Sequence, residues 1–253
     1  MYRSPAVAVD NDGNAVALFS DNILREAYVN VFNASANTWS GCVKISNGTM
    51  PALEHNMAIA FGTGGDVFAL FTQDDRLHCR KGKYQNGVVT WGTAVPIDSA
   101  TGGGYIFGDN PRIATDKDGN AIAVFVQEDA ASRNRIFANR YDKAAGTWGT
   151  ARIVDAPNEQ FNCSNPRVAI DDRNNALIAF MEVSTVGNSV SVFTNTYDAA
   201  HNQWGTAIKM DPGTTATETG FSPDITFDAI GNGILVYGFF DGTNYWVRSH
   251  RFE

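Results

Sequence analysis

Two stretches of the 253-residue chain decide its fold: NPRIATDKDGNAIAVFVQED (residues 110–129) and NPRVAIDDRNNALIAFMEVS (residues 165–184). They agree in polarity at nearly every position. The same pattern recurs three more times, beginning at Ser4, Asn56 and Ser222. Internal repetition of this kind predicts a repeat architecture in which each copy is one structural unit.

Each copy contains the signals of four short strands. The first strand alternates between apolar and polar residues, and the second, as in AIAVFV (121–126), is almost continuously apolar, which predicts burial on both faces. Turn residues such as DKDGN (116–120) separate the two. The third and fourth strands alternate again. Four strands per repeat predict an all-β fold, a five-bladed β-propeller of four-stranded antiparallel blades. We expect one domain over residues 1–253, with blades at roughly 4–46, 56–98, 110–155, 165–211 and 222–253.

The fifth copy is incomplete. Phe252 stands where the third copy has Tyr141, and no Trp-bearing outer strand follows it, so the last blade is predicted to lack its outer strand. Three arrangements are compatible with this: a closed five-bladed ring, part of a longer protein, or an open edge through which two copies self-associate. The closed ring is the favoured one.

A second motif joins an aromatic residue to a Trp seven positions later. The four pairs are Phe32 and Trp39, Tyr84 and Trp91, Tyr141 and Trp148, and Tyr197 and Trp204. Because the spacing is constant while the lengths between copies vary, these aromatic residues are predicted to be structural, covering the outer edge of each blade, and not to bind a ligand.

The repeats resemble those of bacterial β-propeller proteins. The segment YDKAAGTWG (141–149) is similar to the Asp-box of sialidase-type propellers, Ser-x-Asp-x-Gly-x-x-Trp: Asp142, Gly146 and Trp148 match in kind, whereas Tyr141 replaces the Ser and the Gly-to-Trp spacing is shorter. The five-blade count also resembles the tachylectin-type sugar-binding propellers. These resemblances imply a fold and leave the activity open.

Composition excludes several classes of partner and ligand. The net charge of −8, without a basic cluster, opposes nucleic-acid binding, and no apolar run is long enough to span a membrane. The three Cys residues show no spacing typical of disulfides or zinc, and we expect mostly buried thiols. The turns at Asp10 and Asp116 resemble the start of a calcium loop but lack its remaining ligands, so plain hairpins are predicted. No metal or cofactor is predicted.

The candidate binding residues lie near the segments that connect successive blades. Variable loops on a rigid scaffold commonly bind ligands, and aromatic faces with Asn or Ser side chains suit a polyhydroxy ligand such as a sugar. The predicted ligand-binding residues are Ser4, His55, Asn56, Tyr105, Phe107, Asp109, Asn110, Phe161, Asn165, Phe221 and Ser222.

The sequence shows no obvious catalytic set. Asp109 and Asp224 lie near the starts of inner strands, and Arg112 and Arg167 follow a Pro, but strand alternation sends neighbouring residues to opposite faces and no acid pair recurs. The predicted function is therefore non-catalytic binding of a carbohydrate, with no catalytic residues. A protein-interaction or assembly module is the first alternative, and a sialidase-like or other glycan-active enzyme is the second. We expect an extracellular or cell-surface location, although Met1 is not followed by a signal segment.

Overall fold

The chain forms antiparallel β-sheets throughout the part that the computed structural model describes. The described residues are 2–21, 23–48, 57–99, 111–155, 161–184, 189–215, 217–228 and 230–253.

Five sheets follow one another along the chain. Sheet 1 comprises β1 (Tyr2–Val9), β2 (Ala15–Asp21), β3 (Glu26–Asn33), β4 (Thr38–Trp39) and β5 (Val43–Lys44). Sheet 2 comprises β6 (Met57–Phe61), β7 (Asp66–Gln73), β8 (Arg76–Gln85) and β9 (Val88–Pro96), with a 3-10 turn at Thr63–Gly65. Sheet 3 comprises β10 (Arg112–Thr115), β11 (Ala121–Glu128), β12 (Asn134–Asp142), β13 (Thr147–Trp148) and β14 (Arg152–Ile153). Sheet 4 comprises β15 (Phe161–Ile170), β16 (Ala176–Ser184), β17 (Val190–Asp198), β18 (Gln203–Trp204) and β19 (Ile208–Lys209). Sheet 5 comprises β20 (Thr219–Phe227), β21 (Gly233–Phe240) and β22 (Tyr245–Phe252).

The strand order within each sheet follows the chain, as the repeats predict for a β-propeller. In sheets 1, 3 and 4 the outer strand is split into two short pieces that both pair with the third strand. Sheet 5 has three strands. The predicted all-β propeller fold with a thin last sheet is therefore confirmed. The described residues contain no helix long and apolar enough to cross a membrane.

Successive sheets pack face to face. In sheet 3, Ala123 and Phe125 face sheet 2, where they meet Leu70, whereas Ile122 and Val124 face sheet 4. We call these the preceding face and the following face of a sheet. The second strands of sheets 2 and 3 are buried on both faces, as their continuous apolar sequences predict.

One turn recurs between the first and second strands. Asp116 accepts hydrogen bonds from the backbone N–H groups of Asp118 (3.0 Å) and Asn120 (2.8 Å), and its second oxygen accepts one from the Asn120 side chain. Gly119 has φ +88°, which a residue with a Cβ rarely adopts. Asp10, Asp171 and Asp228 make the same bonds. The Asp residues that resemble calcium ligands in sequence thus hold their own hairpins.

The aromatic–Trp motif is less uniform than its spacing predicts. Tyr141 lies directly opposite Trp148, and the equivalent pairs in sheets 1 and 4 match it. In sheet 2, however, Trp91 lies opposite Gly82, and Tyr84 pairs with Val89. The tight turn at residues 86–87 extends both strands and shifts the register by two residues, so the seven-residue spacing there has a different structural origin.

The thiols also differ in part from expectation. Cys79 and Cys163 are buried, but Cys42 is exposed. Burial raises the pKa of Cys79 to about 12, which keeps this thiol protonated.

Candidate active site

The first strands of the sheets form the inner wall of the propeller. β1 lies beside β6, β6 beside β10, β10 beside β15 and β15 beside β20. Each first strand runs from the inter-sheet connection toward the first hairpin, so the starts of these strands lie at one end of the wall. We call this end the channel mouth.

Several of these strands carry a β-bulge at the channel mouth. The register shifts between Arg3 and Ala6 in β1, between Ser164 and Arg167 in β15, and between Phe221 and Asp224 in β20. Within the bulges, Asn165 has φ 55° and Ser222 has φ 50°. A left-handed backbone at residues other than Gly costs about 1–3 kcal/mol, and such strain is concentrated at functional sites.

One position at the channel mouth differs between the sheets, and in β1, β15 and β20 it comes immediately after the bulge. It is occupied by Ala6 in sheet 1, Ala58 in sheet 2, Arg112 in sheet 3, Arg167 in sheet 4 and Asp224 in sheet 5. These five residues are equivalent, since each pairs with the corresponding residue of its second strand. The mouth is therefore lined by small residues on one side and by charged residues on the other.

A cavity lies beside the small residues Ala6 and Ala58, and Arg112 forms part of its wall. A cavity of about 340 Å³ lies between β1, β6 and β10. Its wall is formed by Pro5, Ala6, Val7, Met57, Ala58, Ile59, Arg112 and Ile113.

The charged side chains are held in place by short-range contacts. Arg167 donates to Oδ1 of Asn165 (2.8 Å) and to the carbonyl of Pro166 (2.9 Å), and its Nε lies 3.6 Å from Oδ1 of Asp224. Arg112 donates to the carbonyl of Pro111 (3.1 Å). A guanidinium presents five donors in a planar fork that matches a carboxylate or sulfate, so this mouth can bind an anionic group.

The structure places some of the predicted site residues at this mouth. Asn165 and Ser222 lie in the bulges, and the backbone of Ser4 lies in the corresponding bulge of β1. Six of the eleven predicted residues lie outside the described part of the chain: His55, Asn56, Tyr105, Phe107, Asp109 and Asn110. The prediction that these eleven residues bind a ligand stays a prediction.

Two predicted loop residues instead belong to strands. Phe161 pairs with Ser184 at the start of β15. Phe221 lies over Gly238, where its ring fills the space that a Cβ would take, and it contacts Tyr245 with ring centroids 6.0 Å apart. The inner strands continue past the bulge, which moves these residues out of the loops and onto the sheets.

A second, larger concavity lies at the outer strands of sheets 2 and 3. This groove of about 590 Å³ contains Trp148, Lys81 and the buried Asp66. Burial alone would raise the pKa of Asp66, but hydrogen bonds from Lys143 and Lys81 outweigh it and hold this pKa below its ordinary value. Three ammonium groups, those of Lys81, Lys83 and Lys143, thus contact this carboxylate and favour its ionised form.

The sequence matches no protein-family model and no curated protein. Its fold is similar to that of several solved structures. A polysaccharide lyase, the PL25 ulvan lyase bound to a GlcA–Rha3S saccharide, aligns with TM-score 0.66 at 8% identity over 97% of this chain and 68% of its own. An α-L-arabinanase of Penicillium chrysogenum in complex with arabinobiose aligns with TM-score 0.58 at 12% identity over 94% and 77%. A Hadza microbial sialidase aligns with TM-score 0.56 at 12% identity over 98% and 56%. At these identities the likeness establishes the propeller fold.

The comparisons correct the predicted function. Non-catalytic, lectin-like binding was the expectation, with no enzymatic activity. The three structures named above are instead a lyase, an arabinanase and a sialidase, all of them carbohydrate-active enzymes. The prediction of a non-catalytic binding protein is therefore wrong, and the glycan-active alternative is the one that these findings favour.

Arg112 and Arg167 are visible in the sequence, but the pattern of one strand does not indicate a site, because alternation sends the chain neighbours of each arginine to opposite faces. The informative comparison is between sheets, since Arg112, Arg167 and Asp224 occupy one position of the repeat.

Proposed function

We propose that this protein is an enzyme that cleaves an acidic polysaccharide and that Arg112 and Arg167 bind a carboxylate of the substrate at the channel mouth. The observation that carries the proposal is the pair of arginines at equivalent positions on adjacent inner strands, beside a cavity. The fold is shared with an enzyme bound to a glucuronate-containing saccharide, which supports the same substrate class.

The chemistry that suits this arrangement is β-elimination. A base removes the proton from the carbon next to the uronate carboxylate, a carbon–carbon double bond forms, and the bond to the glycosidic oxygen breaks with protonation of the leaving oxygen. Negative charge accumulates on the carboxylate when the proton leaves. Two guanidinium groups that bind this carboxylate stabilise the charge of the transition state more than that of the ground state, which is the condition for catalysis.

Asp224 has a different place in this scheme. Its side chain is 73% exposed and lies 3.6 Å from Arg167. We assign it to orienting Arg167, because an ion pair on one side of the guanidinium leaves the other edge of the fork directed at the substrate. A polymer is too large to enter a cell intact, so the proposed activity also fits the expected extracellular location.

Substitution of the arginines tests the proposal. We expect Arg167→Gln and Arg112→Gln each to lower kcat/KM on ulvan or another uronate polymer by on the order of 10²-fold. Arg173→Gln is the matched control, since Arg173 is an exposed arginine in the β15–β16 hairpin. The readout is the ultraviolet absorbance of the unsaturated product.

Three results of the same assay would contradict the proposal. Reducing ends without new absorbance would mean hydrolysis, and cleavage of arabinan but of no uronate polymer would remove the carboxylate from the substrate. Equal activity of the two arginine variants and the Arg173 control would reject the assigned site.

A further inference from the structure

The following face of sheet 5 exposes residues that are buried in every other sheet. At one position of the second strand, Ile234 is 36% exposed, and at the next position on the same face Val236 is 40% exposed. The equivalent residues of sheets 1 to 4 are 0–2% exposed; they are Val16, Phe68, Ile122 and Leu177 at the first position and Leu18, Leu70, Val124 and Ala179 at the second. Sheet 5 therefore carries half of an inter-sheet interface.

The preceding face of sheet 1 carries the other half. Val7 and Val9 are 63% and 60% exposed, and Trp39 is 52% exposed. Phe19 is half-buried, whereas its equivalent Phe125 is fully buried against sheet 2. In sheet 3 the corresponding Trp148 packs against Phe68 of the sheet before it, with ring centroids 6.3 Å apart.

Hydrogen bonds between sheets show what the missing partner must supply. In sheets 2 to 5 one side chain reaches back to a carbonyl just after the outer strand of the preceding sheet. These bonds run from Arg80 to Ile45 (2.6 Å), from Asn139 to Ile97 (2.7 Å), from Asn195 to Val154 (2.8 Å) and from Tyr237 to Met210 (3.1 Å).

The equivalent residue of sheet 1 is Asn30, since Ala17 pairs with Asn30 as Ala123 pairs with Asn139. Its Oδ1 accepts hydrogen bonds from Ser40 and Gly41 within its own sheet. Its Nδ2 donates to none of the described residues, so sheet 1 lacks the carbonyl that the other sheets receive.

The described strands of sheet 5 do not include that carbonyl. In sheets 1 to 4 the acceptor lies at the end of the outer strand, whereas sheet 5 consists of β20, β21 and β22. A sheet that satisfies Asn30 is therefore one that carries an outer strand.

We propose that both exposed faces are covered by further four-stranded sheets of this same repeat, seated between sheet 5 and sheet 1. The ulvan lyase supports the size of the gap, because the present chain accounts for 68% of its length and the remaining third corresponds to roughly two repeats. The inference rests on the packing of the sheets and is independent of the proposed activity.

Isosteric substitutions test whether the faces are free in the 253-residue chain. Val124→Thr places a hydroxyl in a buried interface, and we expect it to lower the thermal midpoint by several degrees. Val236→Thr is the matched variant at the exposed position, and we expect its midpoint to equal that of the parent. If Val236→Thr destabilises as strongly as Val124→Thr, the face is already covered and the proposal fails; sedimentation then separates closure on sheet 1 from a second copy.

A lengthened chain tests the occupant. Because Phe252 pairs with Gly233 as Phe32 pairs with Ala15, residues 33–155 can be appended directly after Phe252 to complete sheet 5 and add two sheets that have outer strands. In this chain we expect Val236→Thr, at its original position, to become as destabilising as Val124→Thr, and the binding of an apolar dye to fall. A lengthened chain in which Val236→Thr stays neutral and dye binding is unchanged overturns the proposal.

Discussion

At the residue scale, the same ion pair occurs in two sheets with different burial. Arg135 and Asp155 in sheet 3 have side chains 8% and 0% exposed, and Asp155 also accepts from the backbone N–H of Ile136 (2.8 Å). Arg76 and Asp98 are the equivalent pair in sheet 2, where Arg76 is 38% exposed. Each aspartate joins the end of the outer strand to the start of the third strand.

This difference in burial predicts a difference in stability. Asp155→Ala removes the fully buried carboxylate that binds Arg135 and leaves Asp129, whose Oδ2 lies 3.6 Å from the guanidinium, as the remaining acidic neighbour. We expect this to cost about 3–5 kcal/mol in the free energy of unfolding. Asp98→Ala leaves Arg76 able to turn to water, and we expect roughly 1–2 kcal/mol. Urea denaturation measures both. Equal losses would show that the hydrogen bond that each aspartate accepts from a backbone N–H contributes more to stability than its ion pair does.

At the element scale, the aromatic–Trp pair joins the outer strand to the preceding sheet. Trp148 contacts both Tyr141 of its own sheet and Phe68 of sheet 2, whereas Trp39 contacts Phe32 of its own sheet and is half exposed. We expect Trp148→Ala to lower the free energy of unfolding by about 2–3 kcal/mol and Trp39→Ala by less than about 1 kcal/mol. A similar loss for both variants in urea denaturation would place the stabilisation within each sheet and not between sheets.

The elements also show how far the sequence predicts the structure. Repeats and turn residues predict the strands, their order and the thin fifth sheet, because apolar periodicity and positive-φ positions are local properties. The register of Tyr84 with Val89 is not predictable from the seven-residue spacing, since the hairpin length decides it. The candidate site at Arg112 and Arg167 could not be predicted from the alternation of one strand, because the bulge before Arg167 and the equivalence of the two positions become visible only when the sheets are compared.

At the scale of the whole molecule, stability is expected to fall from the middle sheets to the terminal ones. A sheet in a repeat array is stabilised by its two neighbours, and the described faces of sheets 1 and 5 each have a neighbour on one side. Amide hydrogen exchange should therefore be faster in β2 and β21 than in β7, β11 and β16. Uniform protection across the five strands would contradict this ordering.

The back-reaching bonds to Ile45, Ile97, Val154 and Met210 have a consequence for synthesis. The donor always belongs to the later sheet and the carbonyl to the earlier one. During translation each acceptor is therefore made before its donor, and every new sheet meets a sheet that has already been synthesised. The molecule can assemble in one direction, at the pace of its own elongation, without waiting for its C-terminal half.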